Sequence, residues 1–207
     1  MQDHNLLTID YSQKATGKAL DAIFASAARV AVLRVFLLEP AREYYQRQLE
    51  AATGLPIRAV QRELERLTAI GLLYRRVEGN RTYYQVDMQF PLFPELRGMI
   101  LKSVGPSDAL RGALALDDGV YLAFLSEAGD RALLVARPGR TPAVAWTGPP
   151  DLTFMTAEEF QDALAARRAD VDAFLRRGCD LLGRRDEVIW RHIEAAGYDV
   201  KKGAGVP

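Results

Sequence analysis

The stretch from Arg42 to Tyr84 constrains the fold most, because several local signals follow one another there with no residues to spare. Tyr44-Tyr45 suits a short strand, and Gln46 to Thr53 suits a helix that stops at Gly54, the residue type best able to take the left-handed conformation of a helix end. Pro56 fits the first turn of the next helix, where its missing N–H costs nothing. In that helix, at about 100° per residue, Ile57, Val60, Leu64 and Leu67 share one side, and Arg58, Arg62 and Arg66 fall on the other. Leu72–Glu78 and Arg81–Val86 then read as strands, joined by Gly79-Asn80, a pair able to take the positive φ angles of a tight hairpin.

A helix, a tight turn, an arginine-striped helix and a basic ribbon, in that order, make the layout of a winged helix-turn-helix. Arg58, Arg62 and Arg66, four residues apart, span about 12 Å of helix, a scale on which a helix in the major groove reaches phosphates and guanine edges. Arg58 and Gln61 lie in the N-terminal half, the end that meets bases in such motifs, and are the candidates for direct readout. Arg75, Arg76, Asn80 and Arg81 surround the hairpin tip, where cations can reach the DNA backbone or a narrow minor groove. The bland alternative is that Arg58, Arg62 and Arg66 solvate an exposed face and pair with Glu63 and Glu65. Period-two alternation sends one of Tyr83 and Tyr84 to the core and the other outside.

Charge placement agrees with this division of labour. The chain of 207 residues has a net charge of zero and is 49% hydrophobic, enough for one large core or two small ones. Residues 21–105 carry a net charge of +3 and residues 106–207 one of −3, so only the first part suits a polyanion. No apolar run of about 18 residues occurs, and the first residues lack the basic start and apolar core of a signal peptide, so a cytoplasmic protein without membrane contact is expected. Cys179 is the one cysteine, which excludes an internal disulfide; with His4 and His192 it leaves too few soft ligands for a zinc site. No metal or cofactor is expected, and Cys179 reads as a small buried apolar residue.

Four phrases carry a family resemblance: Arg42-Glu43-Tyr44-Tyr45-Gln46-Arg47-Gln48-Leu49, Val60-Gln61-Arg62-Glu63-Leu64-Glu65-Arg66-Leu67, Gly71-Leu72-Leu73, and Gly79-Asn80-Arg81-Thr82-Tyr83-Tyr84. Together they resemble the ArsR-like winged-helix transcriptional regulators, particularly those that join the DNA-binding domain to a nucleotidyltransferase-like domain. The resemblance covers about Phe24 to Gly105 and implies a homodimer that binds double-stranded operator DNA, with no effector identified. Downstream it is fainter: a helix from Ser107, strands at Val120–Leu125 and Arg131–Ala136, then Glu158-Glu159-Phe160 and Phe174-Leu175-Arg176-Arg177. Active transferases of this kind carry a Gly-Ser turn and two carboxylates one residue apart on one strand face. Here the turn is Leu125-Ser126-Glu127-Ala128-Gly129-Asp130, and Ala132 follows Asp130 where a second acid belongs, so a catalytically silent domain is expected.

The expected architecture is therefore α+β: residues 1–20 as an arm, 21–105 as a winged helix-turn-helix, 106–199 as a small α/β domain resembling a reduced nucleotidyltransferase fold, and 200–207 as a disordered tail. Ser26 is the expected cap of a helix ending at Glu39-Pro40, and Leu96 to Val104 another helix. Thr156-Ala157-Glu158-Glu159 is a capping box opening a helix to about Arg167, with further helices near Val171–Leu182 and Glu187–Ala196. The competing functions are a divergent nucleotidyltransferase using Glu127 and Asp130, and an antitoxin-like protein-interaction module.

Overall fold

The computed structural model describes residues 13–203 apart from 145, 147 and 186, with side chains from residue 18 onward. Among the described residues it is a mixed α+β structure with one three-stranded and one five-stranded sheet. The chain divides at Gly105/Pro106 into two compact units, with Leu38–Ala41 grouped with the second. No helix among the described residues is long and apolar enough to cross a membrane.

The first unit runs α1 (Gln13–Ile23), α2 (Ala27–Leu38), β1 (Tyr44–Tyr45), α3 (Gln46–Thr53), α4 (Ile57–Ala69), β2 (Leu73–Glu78), β3 (Arg81–Val86) and α5 (Phe93–Ser103). The expected arm is thus corrected over its described part: from Gln13 the chain is helical, and α1 packs on α5. Residues 1–12 lie outside the described residues. Ser26 caps α2 by accepting the Arg29 amide at 3.1 Å. Gly54 ends α3 at φ +67° and donates its N–H to the Glu50 carbonyl at 2.9 Å, which closes the last turn. Pro56 sits one position earlier than expected, as the extended cap of α4, and its carbonyl accepts from Ala59 and Val60.

The small sheet is antiparallel in the order β1-β3-β2, with Tyr44 opposite Tyr84 and Tyr45 opposite Tyr83. Its hairpin closes on Gly79-Asn80 with Glu78 opposite Arg81; only Gly79 takes positive φ, at +60°, so the turn needs a glycine at its first central position alone. Alternation works as expected: Tyr84 is buried with Tyr44, Leu73 and Val86, and Tyr83 lies half-buried on the other face.

The second unit runs α6 (Pro106–Leu114), β4 (Val120–Leu125), β5 (Arg131–Ala136), β6 (Asp151–Met155), α7 (Ala157–Ala165), α8 (Ala169–Arg177), β7 (Cys179–Asp180), α9 (Val188–Ala195) and β8 (Lys201–Lys202). The sheet order is β6-β5-β4-β7-β8; β4 is antiparallel to β5 and β7, β6 is parallel to β5, and β8 is parallel to β7. One face packs Leu122, Phe124, Leu133 and Val135 beneath α7, α8 and α9. The other packs Ala123, Leu125 and Leu134 against Leu110 and Leu114 of α6 and against Leu181. Burial on both faces explains why β4 and β5 read as continuous apolar runs. Val144 and Trp146 pack against this second face without forming a strand.

Buried or bridging polar groups fix the connections. Asp117 accepts the amides of Gly119 (2.7 Å), Val120 (3.1 Å) and Ala143 (2.9 Å), which ties the start of β4 to the chain after β5. Asp180, fully buried, accepts the Leu182 and Gly183 amides at 3.0 Å each and Arg185 Nε at 3.3 Å. The capping box forms as expected, the Thr156 hydroxyl accepting the Glu159 amide at 3.1 Å and the Glu159 carboxylate accepting the Thr156 amide at 2.8 Å.

Two expectations fail here. The helix read as Val171–Leu182 stops at Arg177, and Cys179 turns into the sheet opposite Leu125. The close approach of backbone forces that break: a Cβ on Gly178 would lie 2.3 Å from the Leu125 carbonyl oxygen and 2.5 Å from that of Phe174. The start of the expected tail is also ordered, since Lys201 and Lys202 pair with Cys179 and Asp180; residues 204–207 lie outside the described residues.

Gly178→Ala should therefore cost about 1–3 kcal/mol through overpacking. Gly98→Ala in α5, where nothing among the described residues lies within 4 Å of the added carbon, should gain about 0.4–1 kcal/mol. Urea denaturation of the two variants checks both signs.

Candidate nucleic-acid interface

Helix α4 buries Val60, Leu64 and Leu67 and leaves Arg58, Arg62 and Arg66 exposed. Its remaining buried residue is Glu63, a carboxylate with 0% exposure. Arg29 of α2 meets Glu63 Oε2 through Nε at 3.0 Å and also donates to the Phe24 carbonyl at 3.1 Å. Arg66 meets Glu63 Oε1 at 3.0 Å, and Arg62 Nε lies 3.9 Å from the same oxygen. The arginine row is thus graded. Arg66 is held by Glu63, Arg62 lies at its margin, and Arg58 has no ion-pair partner among the described residues. Glu63 as an Arg66 partner agrees with the bland reading of the row, but the pair is not a solvated one.

Gln61 joins α4 to α3, its Nε2 donating to Gln46 Oε1 at 3.1 Å. Gln46 in turn borders a polar cleft of about 390 Å³ between the first turn of α3 and the hairpin tip, lined by Tyr45, Gln46, Arg47, Asn80, Arg81 and Thr82. The pairing of β1 with β3 creates this cleft by bringing Tyr45 beside Tyr83. Asn80 and Arg81 thereby join Arg47, a residue that sequence reasoning passed over because no local pattern links it to the hairpin.

On the outer face of the small sheet, two arginines and two tyrosines form a ladder. Arg76 lies over the Tyr83 ring at 5.3 Å, Tyr83 meets Tyr45 edge-on at 6.0 Å, and Arg81 lies over Tyr45 at 5.1 Å. Arg76 is also paired with Glu43 at 2.6 Å and Glu78 at 2.7 Å, hydrogen bonds that push its pKa up and hold the Glu43 carboxyl below the usual range. The Tyr83 hydroxyl raises the pKa of Arg81. Arg75 is exposed on the opposite face of β2, across from Tyr84. The structure therefore brings Gln61, Asn80 and Arg81 to connected surroundings, engages Arg66 and Arg76 with carboxylates, and leaves Arg58 and Arg75 open.

In the second unit, the turn after β4 forms a smaller cleft of about 190 Å³ lined by Ser126, Glu127, Asp130, Arg131, Phe174 and Arg177, among others. Ser126 donates to Asp130 Oδ1 at 2.7 Å, which holds that carboxyl below the usual range. Asp117 accepts three backbone amides, and Asp118 pairs with Arg140 at 3.2 Å. Among the described residues no group of three His, Cys, Asp or Glu side chains is placed to hold a metal ion. Burial pushes the Cys179 thiol pKa up, away from reactivity.

Comparison with protein-family models, curated proteins and solved structures gives no match to this chain.

Replacing Arg29 leaves a buried carboxylate with one close partner. Arg29→Ala is expected to cost about 3 kcal/mol, the lower end for breaking a buried pair, because Arg66 remains. Arg66→Ala should cost less, since Arg29 still bonds the buried group and the Arg66 side chain is 54% exposed. Chemical denaturation of both variants tests that order.

Proposed function

We propose that the first unit is a winged helix-turn-helix that binds double-stranded DNA in a sequence-specific manner, as a homodimeric, cytoplasmic transcriptional regulator of the ArsR-like kind. The observation that supports this reading is the hydrogen bond from Gln61 of α4, the helix with the exposed arginine row, to Gln46, which lines the cleft at the hairpin tip. Arg58, Gln61 and Arg62 stand where base edges of a major groove would be read. Arg75, Asn80 and Arg81 fit the phosphate backbone, and Arg66 reaches it from its anchor on Glu63. Arg76, occupied by Glu43 and Glu78, braces the wing and leaves the phosphates to its neighbours. The net charges of +3 for residues 21–105 and −3 for 106–207 favour a polyanion at the first unit alone.

The second unit, which resembles a reduced nucleotidyltransferase domain, is assigned a dimerising or sensing role without nucleotidyl transfer. Asp130 is engaged by Ser126, and the position two residues on is the buried Ala132.

Retention of genomic duplexes at low salt, followed by selection and sequencing of the bound fragments, is the decisive experiment; a protein that retains none sinks the proposal. Two wings and two α4 helices contacting roughly 6 to 10 phosphates give binding that falls steeply with salt. Arg62→Ala should weaken the selected site by about 1–3 kcal/mol and random DNA much less. Arg81→Ala should weaken both alike and flatten the salt slope by about one unit. Fluorescence anisotropy over a salt series measures all of these, and equal losses on both DNAs for Arg62→Ala would remove it from the readout.

A further inference from the structure

The five-stranded sheet has two edges, and they are built differently. The β8 edge is two residues long and consists of Lys201 and Lys202, both exposed. Shortness and lysine are the usual means by which an edge avoids pairing with another chain. The β6 edge is five residues long, carries no lysine, no internal proline and no charge after Asp151, and exposes Thr153 and Phe154, the latter by 49%. No strand among the described residues pairs with its outer side.

The direction of its backbone groups follows from one bond. The Asp151 amide donates to the Asp130 carbonyl at 2.8 Å, on the β5 side. In a parallel ladder alternate residues turn both backbone groups to the same neighbour, so Asp151, Thr153 and Met155 serve β5. Leu152 and Phe154 therefore direct their N–H and C=O groups outward.

We propose that this edge is filled by β6 of a second copy of the chain, paired antiparallel about a twofold axis at Thr153. In this register Leu152 lies opposite the partner's Phe154 and exchanges both backbone hydrogen bonds with it, and symmetry repeats the pair. Opposed residues share a sheet face, so each exposed Phe154 ring is covered by the partner's Leu152. The neighbouring symmetric registers fail on chemistry. Centring on Leu152 sets Phe154 against Pro150, which has no N–H to give. Centring on Phe154 sets Leu152 against Thr156, whose N–H is already held by Glu159 at 2.8 Å. The edge is thus self-complementary in one register, which selects a second copy over an extended peptide of other sequence. The inference rests on the homodimer in the proposed function and is independent of DNA binding.

The test uses the full chain with Cys179→Ser as background. Thr153→Cys should form an intermolecular disulfide on mild oxidation, because a non-hydrogen-bonded pair at the axis brings the two Cα atoms to about 4.5 Å. Phe154→Cys should not, since its two copies lie diagonally apart. Phe154→Lys should weaken self-association by roughly 100-fold in sedimentation equilibrium with an unchanged circular dichroism spectrum, as each dimer loses two covered rings. Failure of Thr153→Cys to cross-link, or a dimer indifferent to Phe154→Lys, overturns the proposal. Duplex retention on the same samples separates the two ideas: cross-linked dimers without DNA binding sink the regulator reading alone, and DNA binding without the cross-link sinks the edge alone.

Discussion

The buried carboxylate of Glu63 is the constraint on which the first unit depends. Taking a charge out of water costs several kcal/mol, and the cost is tolerated only where cations and hydrogen bonds converge on it. Arg66 from α4 itself and Arg29 from α2 supply that convergence, so α2 must meet α4 where the Arg29 guanidinium reaches Glu63. Apolar packing of Val60, Leu64 and Leu67 tolerates small rotations of a helix; a charge pair at 3.0 Å does not. The roll of α4, and with it the direction of Arg58 and Arg62, is fixed by this pair.

Most of the first unit was legible from sequence because its signals are local. Gly54 ending α3, the apolar and arginine faces of α4, and the Gly79-Asn80 hairpin all rest on residues within one turn or one strand of each other. Glu63 entered the sequence reading only as a partner of the arginine row, and its burial was not anticipated. Its helical angle lies about 40° beyond Leu67, bordering the apolar arc, and that geometry was the available clue. Its partner Arg29 lies 34 residues away and left no local trace. The same holds for Arg76 with Glu43, 33 residues apart, and for the cleft that adds Arg47 to the hairpin tip. Helix α1 escaped because the mixed, polar residues before it define no stripe.

In the second unit, β4, β5 and the Thr156 capping box declared themselves, the strands through apolar continuity and the box through spacing. The helix over-run past Arg177 had a different origin. Apolar residues continue through Leu182, and the periodic pattern does not record that Gly178 must pass within contact of the Leu125 carbonyl. A two-residue strand such as β7 or β8 has no periodicity of its own and exists only because a neighbour offers hydrogen bonds. Lys201 and Lys202 accordingly looked like a tail.

The arginine–tyrosine ladder on the small sheet has a consequence for the entropy of any encounter at that surface. A long cationic side chain held in one rotamer at an interface ordinarily forfeits about 0.5–1.5 kcal/mol of conformational freedom on binding. Arg76 is clamped between Glu43, Glu78 and the Tyr83 ring, and Arg81 rests on Tyr45, so both have surrendered most of that freedom during folding. Arg76 spends its charge on its two carboxylates, and Arg81 presents its own from a fixed position in the free protein, so a ligand arriving there meets a surface that is already set.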